Sequence, residues 1–114
     1  MKLTNEETRI KIAETLGWTE CCADPDGWLW GVDPAQAGNE CGGWCTVPNY
    51  PESLDACAGF EAHAYRTEPS GWLARYEDEL RERCSTLQYP HYNPICATPR
   101  QRCLAYLKTK GLLP

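Results

Sequence analysis

The sequence predicts a small single α+β domain, and three observations carry the prediction. Two segments, opening at Thr4 and Thr98, begin with paired capping residues and continue at helical spacing. The stretch from Trp18 to Pro51 loses the helical period and turns to Trp, Gly, Pro, Cys and Asp, with short strand-like alternations between turn sequences. A chain of 114 residues has the size of one domain, large enough to bury about two-thirds of its unfolded surface in a modest core.

The elements follow in order. The first helix is expected from about Thr4 to Leu16: Thr4 and Glu7 make a capping box, Ile12 and Leu16 lie one turn apart beside Ile10 and Ala13, and Gly17 offers the left-handed residue that stops it. Asp24-Pro25-Asp26-Gly27, Asp33-Pro34 and Cys41-Gly42-Gly43-Trp44 then mark turns. Trp28–Val32 is the better strand candidate between them, and Trp44–Val47 the second. An unbroken loop of this length is unusual in a compact domain, so pairing or a functional role is expected.

A second helix begins after Pro51, with Ser53 as N-cap and Leu54, Cys57, Ala58, Glu61, Ala62 and Tyr65 at helical spacing, and closes near Tyr65 or Arg66. Trp72 to Arg83 reads as a charged amphipathic helix through Leu73, Tyr76, Leu80 and Arg83; Trp72, Ala74 and Tyr76 also fit one face of a strand. Leu87–Cys96 is expected to be extended, because Pro90 and Pro94 push their predecessors out of the helical region. The last helix starts at Thr98, with Pro99 in its first position and Gln101 completing a second capping box. Cys103, Leu104 and Leu107 form its stripe, Lys108 and Lys110 complement its C-terminal dipole, and Gly111 ends it.

Charge and hydropathy exclude some classes. Sixteen acidic against 11 basic residues give a net charge of −5, whereas binding to a nucleic-acid backbone needs a clustered basic surface. Nucleic acid is therefore not an expected partner, and five net negative charges are ordinary for solubility rather than a sign of DNA mimicry. No apolar run approaches the roughly 20 residues of a membrane span, and Met1-Lys2-Leu3-Thr4-Asn5-Glu6-Glu7 begins a polar helix. No membrane partner and a cytoplasmic location are expected. In a reducing compartment most of the eight cysteines are thiols, with Cys57 and Cys103 on apolar helical stripes as small buried hydrophobes.

Three blocks of the sequence resemble a known family. Asn5-Glu6-Glu7-Thr8-Arg9-Ile10-Lys11-Ile12-Ala13-Glu14 closing on Leu16-Gly17-Trp18, Val47-Pro48-Asn49-Tyr50 leading into Ser53-Leu54-Asp55-Ala56, and Ala97-Thr98-Pro99-Arg100-Gln101-Arg102-Cys103-Leu104-Ala105-Tyr106-Leu107 are similar to the phage ABA-sandwich domain proteins, small accessory proteins of bacteriophages and prophages. The resemblance implies three to four helices packed on a small β-sheet in an α-β-α sandwich-like arrangement, and a setting in the host bacterial cytoplasm. It carries no single activity, so it transfers no catalytic residue. The sequence departs from the family pattern in its Trp- and Cys-rich stretch between Trp18 and Pro48 and in the helical character of Trp72 to Cys84.

Cys41 and Cys45, with Cys21 and Cys22, have the number of thiolates a structural zinc takes, but vicinal cysteines rarely reach one ion and no two-residue spacing is present. No cofactor and no metal are expected. A cysteine nucleophile needs a histidine beside it, and nothing in the sequence brings His63 or His91 to a chosen thiol. Glu77, Asp78, Glu79 and Glu82 interleave with Arg75, Arg81 and Arg83 as an ion-paired solvated face. Aromatic density is the better clue: Trp28, Trp30, Trp44, Tyr50, Tyr89 and Tyr92 fall in loop-like regions, where planar side chains stack on a base, anchor a protein or fill a local core. The start of the last helix adds backbone N–H groups beside Thr98, Arg100 and Arg102, a phosphate-binding combination.

The expected function is thus a non-enzymatic phage accessory protein that binds and sequesters a small nucleotide-like ligand such as a host immune signal. Trp30, Trp44 and Tyr50 stack in this reading, and Thr98, Arg100 and Arg102 meet phosphate. The alternative is a protein-interaction module that grips and inhibits a host protein. A homodimer or higher homo-oligomer is expected in either case.

Overall fold

The structure, a computed structural model, describes residues 3–36, 38, 40–84 and 97–113; Leu87–Cys96, with Tyr89, His91 and Tyr92, lies outside the described residues. Among these described residues four helices and a three-stranded antiparallel sheet make up the expected α+β fold. In chain order they are α1 (Asn5–Thr15), β1 (Thr19–Ala23), β2 (Leu29–Val32), β3 (Trp44–Thr46), α2 (Leu54–Thr67), α3 (Trp72–Cys84) and α4 (Pro99–Thr109), with single 3-10 turns at Pro34–Gln36 and Tyr50–Glu52.

The helix ends are set locally. Thr4 accepts from the Glu7 N–H while the Glu7 carboxylate accepts from the Thr4 N–H, and Thr98 and Gln101 do the same at the start of α4. At the other end of α1, Gly17 (φ 93°) turns left-handed, so that Gly17 N–H reaches the Glu14 carbonyl and Trp18 N–H the Ala13 carbonyl, a Schellman closure. Gly111 (φ 75°) ends α4 identically, with bonds to Lys108 and, from Leu112, to Leu107. Ser53 caps α2 through the Ala56 N–H.

Trp72, Tyr76 and Leu80, spaced one turn apart, face inward from α3 and exclude the strand alternative for this segment. Trp72 and Tyr76 stack at 5.2 Å, and Trp72 meets Tyr106 of α4 edge-on at 5.9 Å. Ile12 and Ala13 of α1, Cys57 and Phe60 of α2 and Cys103, Tyr106 and Leu107 of α4 complete a core with almost no solvent contact. Glu68 and Lys110 pair across the ends of α2 and α4.

The sheet has the order β1-β2-β3, with Cys22 opposite Trp30, Trp30 opposite Thr46 and Val32 opposite Trp44. Its inner face rests on Trp18. Leu29 is buried there, and a Cβ on Gly31 would come within 3.0 Å of both Cys21 Sγ and the Trp18 ring, so only glycine permits this approach. An irregularity between Thr19 and Cys22, where Glu20 takes a left-handed φ of 55°, brings Cys21 to this inner side. Among the described residues no helix covers the outer face: Cys22, Trp44 and Thr46 are exposed, Trp30 and Val32 half-buried.

Candidate functional site

The outer face begins with a hairpin turn. Asp24 carbonyl accepts from Gly27 N–H at 3.0 Å, Gly27 adopts φ 88°, and Asp24 N–H donates to the Trp28 carbonyl at 2.8 Å, which is the three-residue loop of a type I turn followed by a left-handed glycine. The Asp24 side chain then organises the hairpin from within. One carboxylate oxygen accepts from the N–H groups of Asp26 (3.0 Å) and Trp28 (2.8 Å), and the other accepts from Trp30 Nε1 at 2.9 Å. The indole of Trp30 is thereby fixed in orientation on the sheet.

Strand alternation does the rest. With Leu29 and Gly31 inward, Trp28, Trp30 and Val32 point outward, and the register places Trp44 beside Val32 on the same side. Trp28 is 61% and Trp44 41% exposed, unusually open for the largest side chain. Two open indoles thus flank a pinned one on a three-stranded support. Trp28 was within reach of sequence reasoning: a Trp-Leu-Trp strand puts its two tryptophans on one face by its period of two.

The Trp30 bond, aided by the backbone donors, holds the Asp24 carboxyl below its ordinary value. Because the folded value is depressed, the carboxylate's contribution to the hairpin is complete above pH 3.8, the ordinary aspartate value, and is lost as pH falls through the lower folded value. Near-UV circular dichroism should report this as a reversible acid step in the tryptophan bands, absent from Asp24→Asn. Superimposable acid profiles for the two proteins would show that Asp24 does not hold Trp30.

The chain segment that carries this face is one-sided in charge, and Arg9 of α1 reaches its end, donating to the Val47 and Pro48 carbonyls just past β3. From Ile12 through Tyr65 the chain has no Lys or Arg, but it carries Glu14, Glu20, Asp24, Asp26, Asp33, Glu40, Glu52, Asp55 and Glu61. Five of these, Glu20 to Glu40, belong to the sheet and its connections.

The other expected site residues sit elsewhere. Trp30 and Trp44 share the outer face, whereas Tyr50 is 3% exposed and packs edge-on to Phe60 at 5.8 Å in the core. Burial, then the nearby Asp33 charge, pushes the Tyr50 hydroxyl's pKa up and keeps it protonated. Thr98 is occupied as the α4 cap. Arg100 donates to Asn5 Oδ1 (2.7 Å) and the Leu3 carbonyl (3.2 Å), tying the starts of α4 and α1 together. Arg102 donates to the Ala97 carbonyl and to both oxygens of Glu61 at 3.2 and 3.0 Å, tying α4 to α2. The stacking and phosphate halves of the expected nucleotide pocket therefore engage different parts of the fold.

The thiols are similarly dispersed. Cys21 lies on the inner and Cys22 on the outer side of β1, so the vicinal pair does not converge on one ion, and among the described residues no group of three or more His, Cys, Asp or Glu is placed to hold a metal. Cys57 donates to the carbonyls of Tyr50 and Pro99 in the core. A hydrogen bond from the Cys103 thiol to the Cys57 sulfur, then burial, drives the Cys103 thiol's pKa up, opposite to the requirement of a nucleophile. Arg81 pairs with Asp78 on the exposed side of α3.

A concavity of about 390 Å³ runs between Trp18 and Pro34 on one side and Gly59 and His63 of α2 on the other. Among the described residues no helix is long and apolar enough to cross a membrane. No protein-family model, curated protein or solved structure matches the chain.

Proposed function

We propose that this chain is a non-enzymatic binding module that grips a protein partner through the outer tryptophan face of its sheet. The observation that carries the reading is the pair of open indoles, Trp28 and Trp44, on a support held rigid by Asp24 and Trp30. Aromatic side chains of this kind, large and with few rotatable bonds, are the anchors that dominate protein interfaces. Nucleotide sequestration draws less support, since Arg100 and Arg102 spend donors on Asn5, Leu3, Ala97 and Glu61 inside the fold. The resemblance to phage ABA-sandwich proteins supplies the setting of the proposal, an accessory protein in the host bacterial cytoplasm; in it the module acts on a host protein and self-associates as a homodimer or higher homo-oligomer.

Native mass spectrometry of the protein purified from bacterial lysate under reducing conditions tests this. A protein partner retained in defined stoichiometry by the natural chain and lost from Trp28→Ala/Trp44→Ala, with helical circular dichroism unchanged, is the expected result. A retained nucleotide of intact mass that raises the melting temperature on re-addition would return the function to sequestration.

A further inference from the structure

We infer that the occupant of the tryptophan face is a cationic extended segment of the partner, presenting two Arg or Lys side chains four residues apart. The inference rests on the binding-module reading and adds the partner's chemistry to it. Indole faces attract cations through the negative face of their π-system, and arginine is the commonest such partner. The segment that carries the face supplies carboxylates, Glu20, Asp24, Asp26, Asp33 and Glu40, with no Lys or Arg between Ile12 and Tyr65, and the Arg9 guanidinium, which reaches the chain just past β3, is turned onto the Val47 and Pro48 carbonyls. Such a surface repels anionic ligands and steers cationic ones.

Spacing then selects the segment. Strand rise puts positions 28 and 32 roughly 13 Å apart, with position 44 roughly 5 Å to the side of 32. An extended partner chain covers the same roughly 13 Å between residues i and i+4. Its two cations meet Trp28 and Trp44, while residue i+2 lies over Trp30, whose N–H is already committed to Asp24 and whose ring offers apolar contact. A small or apolar residue is required there.

The experiment follows the indole N–H resonances of the ¹⁵N-labelled chain. Its five tryptophans divide into three on the face, Trp28, Trp30 and Trp44, and two internal references, Trp18 at 8% and Trp72 at 4% exposure. The probe is a short glycine-serine peptide with arginines at i and i+4, compared with the same peptide carrying adjacent arginines and one carrying glutamates. The expected result is saturable shifts confined to the three face indoles, for the i, i+4 arginine peptide most strongly. Affinity should weaken about three- to fivefold in Trp44→Leu, which keeps the apolar bulk but not the π-face. It should also weaken at least about fivefold between low salt and roughly 0.5 M salt, where the Debye length is only a few ångströms.

Equal shifts with the glutamate peptide, salt-independent binding, or an unaffected Trp44→Leu would overturn the cationic assignment. If a protein partner is still lost from Trp28→Ala/Trp44→Ala in the native spectrum, the binding-module reading survives that failure. Absence of any partner together with silent face indoles rejects both.

Discussion

Replacing Phe60 by alanine should destabilise the domain by about 3–5 kcal/mol, the range of buried phenylalanine truncations. Phe60 has no solvent exposure and sits where three parts of the chain meet. Its ring lies 5.8 Å from Tyr50 of the 3-10 turn and 4.5 Å from Tyr106 of α4, and Tyr106 passes the contact on to Trp72 of α3. Truncation removes the burial of one ring and leaves its neighbours facing a void they cannot refill, because Tyr106 is also held by the 2.7 Å bond between its hydroxyl and Thr15. A domain of this size holds about 5–15 kcal/mol in total, so the loss takes a large share of it. Urea unfolding should show the midpoint falling with an unchanged slope. A loss below about 1.5 kcal/mol would mean that α2 does not pack on α4 through this residue.

The parts of this architecture that were legible in the sequence are those decided within one or two turns of chain. Thr4 with Glu7 and Thr98 with Gln101 are adjacent in helical space, and Gly17 and Gly111 act through their own φ, so all four helix boundaries they set could be read without tertiary information. Trp28–Val32 and Trp44–Val47 were readable as strands from their alternation and flanking turns. β1 was not, because Thr19-Glu20-Cys21-Cys22-Ala23 has no apolar alternation and its register is broken by the left-handed Glu20.

The candidate site divides in the same way. Trp30 and Trp44 come together through strand pairing, which the sequence hinted at. Tyr50 looked like a loop aromatic, yet the 3-10 turn at Tyr50–Glu52 swings it onto Phe60. The partners of Arg100 and Arg102 are 95 and 41 residues away, so a helix start that reads as a phosphate site is a pair of interhelical ties. Local rules identify which groups can bind; only the tertiary fold decides whether something internal has already bound them.

Arg102→Met should accordingly cost stability, about 2–4 kcal/mol, at the lower side of the range for breaking a buried pair because both partners keep some solvent contact. Arg102 is 17% and Glu61 19% exposed in their side chains, with Nη1 3.0 Å from the carboxylate. Tyr76 donates its hydroxyl to the same carboxylate at 2.7 Å, and burial, reinforced by that bond, drives the Tyr76 pKa upward so that it remains a donor. Removing the guanidinium leaves Glu61 with the Tyr76 hydroxyl but without its counter-charge in a poorly solvated place, and leaves the Ala97 carbonyl without its Arg102 donor. Most of the penalty is thus the stranded charge rather than the lost attraction. Glu61→Gln/Arg102→Met should therefore be more stable than Arg102→Met alone, since the neutral amide can still accept from Tyr76. Denaturation of the four proteins of this cycle measures the coupling directly. A ligand-facing arginine would give the opposite pattern, with stability unchanged or raised and only binding lost, so a stable Arg102→Met protein would restore Arg102 as a candidate for phosphate.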